Sequence, residues 1–326
     1  MLLKFMPSNT KIRFMSVRWP AVILSAIMII GSIALVSVRG LNFGIDFEGG
    51  VVIEVETETP ADVGRVRAAL TPLELGDFQV QEIRDALLDA GEPTRVVMIR
   101  TEGATGEGDE VEQAVQATTN AILTALRAEF GTLEVRRSEA VGPKVSGELL
   151  QDGVTALVVA LGLMLIYIWF RFEWQFSLGA VLALVHDVIL TIGMFAVTQF
   201  EFNLSTIAAL LTIIGYSMND TVVVYDRVRE ELRRYKKLSI EKVVDLALNR
   251  TLSRTLLTSG TTLLALLSIF ILGGDVLRGF SFAMIWGVVI GTYSSVFVAS
   301  ALLMYTGVRR DMDKPAEDGG AAPAEA

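Results

Sequence analysis

Six stretches of this chain are each long and apolar enough to cross roughly 30 Å of hydrocarbon, a distance that takes about 20 residues of helix. They run from Trp19 to Val38, Gly153 to Phe170, Phe176 to Phe200, Phe202 to Tyr225, Thr255 to Gly274 and Gly279 to Val308. Across 326 residues the hydrophobic content of 52% and mean hydropathy of +0.51 exceed what one soluble core uses, so a bilayer is the expected destination of the surplus. The first run is too long for a signal-peptide core, and no small-residue cleavage site follows it before Phe43. It reads as a retained anchor.

Lysine and arginine near the span ends set the expected orientation, because positive loops stay in the cytoplasm. Lys4, Lys11, Arg13 and Arg18 precede the first span, Arg171 lies between the second and third, and Arg309 with Arg310 follow the sixth. The connection between the fourth and fifth carries Arg227, Arg229, Arg233, Arg234, Lys236, Lys237, Lys242 and Arg250. Such a basic loop serves either as a topology determinant in contact with anionic lipid or as a partner surface. The alternate connections hold Glu201 in one case and Asp275 with Arg278 in the other. Both termini are therefore expected inside: 1–18 as a cytoplasmic N-terminus, 19–38 as the first span, 153–308 as the remaining five, and 309–326 as a disordered tail without an apolar stripe.

Between the first two spans, residues 39–152 carry acidic residues over basic ones by about two to one, unlike the cytoplasmic segments. This is the expected exported domain. Val51 to Glu56 alternates as a strand, Ala61 to Leu70 has helical spacing, Gln79 to Arg84 and Arg95 to Thr101 read as strands, Asp109 to Phe130 as a helix and Leu133 to Ser138 as a last strand. Ile83 to Ala90 is ambiguous. The order βαββαβ is that of the split βαβ, ferredoxin-like arrangement. The predicted fold class is thus an α-helical polytopic membrane protein of six transmembrane helices with an exported α+β ferredoxin-like domain between helices 1 and 2.

Several chemistries are excluded or disfavoured. The absence of cysteine rules out disulfides, thiolate metal sites and thiol nucleophiles. A single histidine, His186, and no HExxH pattern leave no usual zinc site. A net charge of −9 argues against a nucleic-acid partner. The polar loop Gly103 to Gly108 lacks the GxxxxGK[ST] pattern of a phosphate cradle.

Charged residues inside a span cost at least ~2.5 kcal/mol, so each is a functional candidate. Asp220 lies within the fourth span beside Asn219, itself a relay candidate, and helical spacing stacks Ser217, Asp220 and Val224 on one side. Arg254 opens the fifth span, with Thr258 and Thr262 continuing its face. Because the fourth span runs inward and the fifth outward, Asp220 and Arg254 are expected at similar depth, able to pair. Asp187, with His186, sits about half-way along the third span and needs a partner or a proton. A carboxylate that meets an arginine in only one conformation changes proton affinity between states, which is the physics of a relay. The plainer alternatives are a static Asp220–Arg254 pair or helix caps, and a structural hydrogen-bond knot at Asp187 and His186. Gly287 and Gly291 have small-xxx-small spacing and predict close helix contact.

These residues resemble the SecD/SecF family of protein-export membrane proteins, relatives of the resistance-nodulation-division (RND) transporters, over the full length apart from the tail. Carrying the likeness are Phe43-Gly44-Ile45-Asp46-Phe47-Glu48-Gly49-Gly50, Gly142-Pro143-Lys144-Val145-Ser146, His186-Asp187-Val188, the run from Gly215 to Glu230, and Arg254-Thr255 with the threonine-rich start of the fifth span. The Phe43 to Gly50 motif, with Phe43, Gly44, Asp46, Gly49 and Gly50, is common to both halves of that family. The small exported domain and the fourth-span motif point to the SecF half. The resemblance implies a SecD partner, association with the SecYEG channel, the SecA motor, YajC and the exported preprotein, and a cofactor-free, non-enzymatic use of the proton gradient late in export. It also implies relay positions at Asp220 and Arg254. Some family members carry both halves on one chain, whereas this chain has one, so part of the pathway is expected from a partner.

Three other functions compete. A half-transporter for lipid or small apolar molecules ordinarily needs larger porter domains than residues 39–152 provide. In a non-transporting scaffold, Asp187, Asp220 and Arg254 would be packing groups only. An intramembrane aspartyl protease lacks a recognisable catalytic signature here.

Overall fold

The computed structural model describes residues 10–73, 75–76, 78–83, 95–101 and 109–306. The ambiguous stretch 84–90, the polar loop 103–108 and the tail expected to be disordered lie outside the described residues. The chain divides into two compact units, Leu41–Leu157 with Gln199–Ala208, and the helical remainder.

The first unit is built on a four-stranded sheet. Its strands are β1 (Gly50–Thr57), β2 (Phe78–Ile83), β3 (Val96–Thr101) and β4 (Leu133–Val141), interleaved with helices α3 (Val63–Leu70) and α4 (Asp109–Phe130). Two helices precede α3 in the chain: α1 (Arg18–Arg39) and the single-turn α2 (Ile45–Glu48). The strand order is β2-β3-β1-β4 with every pairing antiparallel, as expected of the ferredoxin-like order. Alternation along β1 sends Val51, Ile53 and Val55 to one face, where Val97 and Ile99 join them under Val66 and Leu70 of α3 and Ile122, Leu126 and Phe130 of α4. Asp62 accepts the N–H groups of Gly64 (2.7 Å) and Arg65 (3.1 Å), capping α3 two residues later than the helical spacing suggests. On the opposite face ionic pairs cross the strands: Glu54 with Arg137 and Glu56 with Arg136.

Among the described residues six helices are long and apolar enough to cross a membrane: Phe14–Arg39, Lys144–Arg171, Trp174–Thr198, Leu204–Arg234, Ile240–Leu272 and Leu277–Tyr305. They correspond to α1 with a preceding 3-10 turn, then α5 (Pro143–Arg171), α6 (Trp174–Thr198), α7 (Leu204–Arg234), α8 (Ile240–Leu272) and α9 (Gly274–Ser294). The last continues through a π-helical turn, Ser295–Ala299, into α10 (Ser300–Tyr305). Connections from α5 onward are short. Gln199, with a φ of 57°, ends α6, and Asn203 is the last residue before α7.

One expectation is corrected. The basic stretch between the fourth and fifth spans is not a long loop, because α7 runs on to Arg234 and α8 begins at Ile240. Hydropathy marks where apolar residues stop, whereas helix formation continues on Arg and Glu residues and their i,i+3 and i,i+4 pairs. Arg227 pairs with Glu230 (2.6 Å) and Glu231 (3.0 Å), and Arg250 of α8 also bonds the fully buried Glu231. Ser239 caps α8 at the Lys242 N–H.

Within the helical unit α6, α7 and α9 are the buried elements, while α1 and α8 keep most of their apolar surface open. Gly193 of α6 leaves room for Ser32 of α1. Gly287 and Gly291 lie against Ile213 and Ser217 of α7, the close contact their spacing predicts.

Candidate functional site

Asp187 of the helical unit has no exposed surface, and three side chains satisfy its carboxyl. Oδ2 accepts the hydroxyls of Ser217 on α7 (2.6 Å) and Ser294 on α9 (2.8 Å), and Oδ1 lies 2.9 Å from Nδ1 of His186. Donors from α7 and α9 thus converge on one carboxyl of α6. The ring of His186 stacks on Tyr293, 6.1 Å between centroids, and its Nε2 is buried without a hydrogen-bond partner among the described residues. Tyr293 in turn donates to Ala21 O and meets Ser25 of α1. Gly291 permits the arrangement, since a Cβ there would stand 3.0 Å from the Ser217 hydroxyl.

Asp220 lies one turn further along α7 and is also buried, but its environment differs. Arg254 and Ser259 of α8 are its electrostatic and hydrogen-bonding neighbours. Oδ2 has no partner among the described residues, and Arg254 does not approach within ion-pair distance. The structure therefore brings the two together without closing the pair that sequence spacing allows. Ser259 is shared with Thr292 of α9, 2.8 Å away. An under-satisfied carboxyl near a guanidinium that stays outside ion-pair distance has the elements needed to gain or lose a proton as the helices shift.

The other expected residues divide. Thr258 bonds the carbonyls of Arg254 (3.1 Å) and Thr255 (3.0 Å) on its own helix, while Thr262 accepts the Tyr216 hydroxyl at 3.4 Å. Asn219 joins neither cluster and lies on the exposed face of α7. One residue along a helix is a turn of about 100°, which carries it away from Asp220. Phe43, Gly44, Asp46, Gly49 and Gly50 belong to the sheet unit. Gly49 (φ 76°) and Gly50 (φ 127°) make the turn from α2 into β1, a conformation that favours glycine.

Sequence reasoning did not find Ser294, Tyr293, Ser259 or Thr292. Their only signal was that a buried carboxylate requires donors, which does not say from which helix they come. The π turn that follows Ser294, with Ser300 Oγ donating to Ser295 O at 2.8 Å, was equally unforeseen. Such turns often accompany functional sites.

Six apolar helices, a ferredoxin-like domain between the first two, and buried carboxyls where three helices meet define a polytopic membrane protein of the transport type. Residues 121–309 match the family described as "Protein export membrane protein SecD/SecF, C-terminal", and residues 34–61 match the "SecD/SecF GG Motif". The chain belongs to the SecD/SecF family. It is 51% identical over 314 residues to the protein translocase subunit SecF of Rhodobacter capsulatus, covering 96% of this chain and 94% of the relative. Against the protein of the same description from Magnetococcus marinus the identity is 48%, over 92% of this chain and 94% of that one. The crystal structure of SecDF, a translocon-associated membrane protein from Thermus thermophilus, superposes with a TM-score of 0.77 at 34% identity. That match covers 92% of this chain and 39% of the SecDF chain. A crystal structure of SecDF in a "Super-membrane-facing form" gives a TM-score of 0.63 at 35% identity, over 91% of this chain and 39% of that one.

Proposed function

We propose that this chain acts as the SecF-type subunit of a protein translocase, paired with a SecD partner, and that protons crossing the membrane through Asp220 and Arg254 drive late steps of export. The observation that carries this reading is the buried, under-satisfied carboxyl of Asp220 facing Arg254 across two spanning helices. In the same reading both termini are cytoplasmic, the sheet domain is extracytoplasmic, and the bundle sits in the bacterial cytoplasmic membrane beside the SecYEG channel. SecA, YajC and the emerging preprotein are the further partners. No cofactor or bond-making step is required, because one charge crossing 100 mV yields ~2.3 kcal/mol. Asp187 and His186 serve in this scheme as the knot that holds α6, α7 and α9 together while Asp220 changes state.

The test is gradient-dependent release of a secretory precursor from membrane vesicles containing this protein and its SecD partner, comparing the native chain with Asp220→Asn. A variant that assembles normally and loses at least about tenfold of the gradient-driven rate, equivalent to 1.4 kcal/mol in the barrier, supports the relay. Native-like gradient dependence places the proton path elsewhere.

A further inference from the structure

Inside the sheet unit, the segment from Asn42 to Glu48 is fastened to the connector between α6 and α7. Phe43 and Phe202 form a parallel bridge in which Phe202 N–H donates to Asn42 O (2.7 Å) and Gly44 N–H donates to Phe202 O (2.9 Å). Asn42 Nδ2 donates to Gln199 O at 3.0 Å. The rings of Phe43, Phe47 and Phe202 pack mutually, with centroids 5.9 to 6.0 Å apart. Asp46 Oδ2 accepts the Leu204 N–H at 2.7 Å and so caps the first turn of α7.

Glu201 sits in the middle of the clasp. A Cβ on Gly44 would stand 2.5 Å from its Oε1 and 3.0 Å from the Asn203 Cβ, so only a glycine lets the carboxyl lie against the backbone here. The charged groups that face it are Asp46 of α2, Arg100 of β3, and Arg137 and Glu139 of β4. Both guanidiniums are committed elsewhere. Arg100 donates to Phe43 O (2.6 Å) and Glu48 (2.7 Å), and Arg137 to Glu54 (3.4 Å) and Glu139 (2.6 Å). Among the described residues no cation reaches ion-pair distance of Glu201.

We infer that Glu201 is a proton-binding site outside the spanning helices, and that its occupancy latches the Asn42–Glu48 segment to the connector leading into α7. Burial first, then the nearby Asp46 and Glu139, hold its carboxyl above the usual carboxylate range against the pull of Arg100 and Arg137. Closing the clasp therefore takes up a proton. The gain is complete below the ordinary carboxyl pKa of the open state and is lost as pH rises through the raised value of the closed state. A charged Glu201 has to leave its place beside Gly44 for water, and its departure disturbs the bridge at Phe202 and the cap at Leu204. Leu204 begins the helix whose later turns carry Ser217 and Asp220. The latch rests on the packing of Glu201 against Gly44, out of ion-pair reach of Arg100 and Arg137, and on the raised carboxyl that this burial produces; its use in export rests on the proton-driven reading above.

Hydrogen–deuterium exchange on the full chain in lipid nanodiscs, with no gradient and no partner, tests it by comparison at about pH 5 and about pH 8. Native protein is compared with Glu201→Gln at each pH, which cancels the intrinsic pH dependence of exchange. Peptides covering 41–48 and 199–206 should lose about tenfold of their protection relative to the variant on going to the higher pH. Peptides over 51–57 should not change. Equal native-to-variant ratios at both pH values overturn the latch. If Glu201→Gln does not insert, Gly44→Ala, which drives the carboxyl out, should show the high-pH pattern at both pH values; retained pH-dependent protection in that variant overturns it too. Neither outcome bears on Asp220→Asn in the gradient assay, so the two ideas fail separately.

Discussion

Asp187 and Asp220 are both buried in the same helical unit, at 0% and 4% exposure, yet their surroundings are opposite. Asp187 receives two hydroxyls and an imidazole from three helices; Asp220 keeps one oxygen without a partner among the described residues, and the nearby Arg254 stays outside ion-pair distance. A buried carboxyl with every acceptor satisfied resists change, because any movement strands several polar groups at once. One left half-satisfied has an alternative state near in energy. Burial alone therefore does not mark a relay residue; under the proposed function, the completeness of its hydrogen bonding makes Asp187 the architectural aspartate and Asp220 the working one.

The largest effect that can break this comparison is on stability. Asp187→Leu strands His186, Ser217 and Ser294 and should cost about 3–5 kcal/mol, read from reversible unfolding in mixed micelles. Asp220→Leu in the same assay should be neutral or stabilising, since an apolar side chain replaces an under-satisfied charge, while gradient-driven export is lost. Equal destabilisation of the two would erase the distinction. Next in size, Gly287→Ala pushes a methyl into Ile213 and should cost about 1–3 kcal/mol by overpacking the α7–α9 contact. Ser294→Ala removes one of the donors to Asp187 and should cost about 0.6–1.7 kcal/mol with export retained. The smallest change is expected at Asn219, where alanine should stay within about 0.5 kcal/mol of native and leave gradient dependence intact. A loss of gradient dependence there would mean that the exposed face of α7 takes part in the relay.

Much of the fold was legible because two strong periodicities dominate it. Apolar runs longer than a bilayer is thick have few other uses, so each of the six expected spans is found as a helix. Alternation at Val51, Ile53 and Val55 and the helical spacing of Ile122 and Leu126 announced the sheet and its covering helix. The ends of α7 and α8 were not legible from hydropathy, because arginine and glutamate favour helix in water as well as leucine does in lipid. For the site, polar residues in apolar runs exposed Asp187, Asp220 and Arg254, but nothing in the linear order distinguished their roles.

Sequence by itself determined the number of spanning helices, the order of the sheet and the identity of the buried charges, since each follows from local composition and periods of 2 and 3.6 residues. Only the tertiary structure decided that Ser217 and Ser294 complete Asp187, that Arg254 stops short of Asp220, and that Gly44 folds against Glu201. Those outcomes depend on which faces of helices distant in sequence come together. Hydrogen bonds act over about 3 Å, a precision that hydrophobic patterning does not carry.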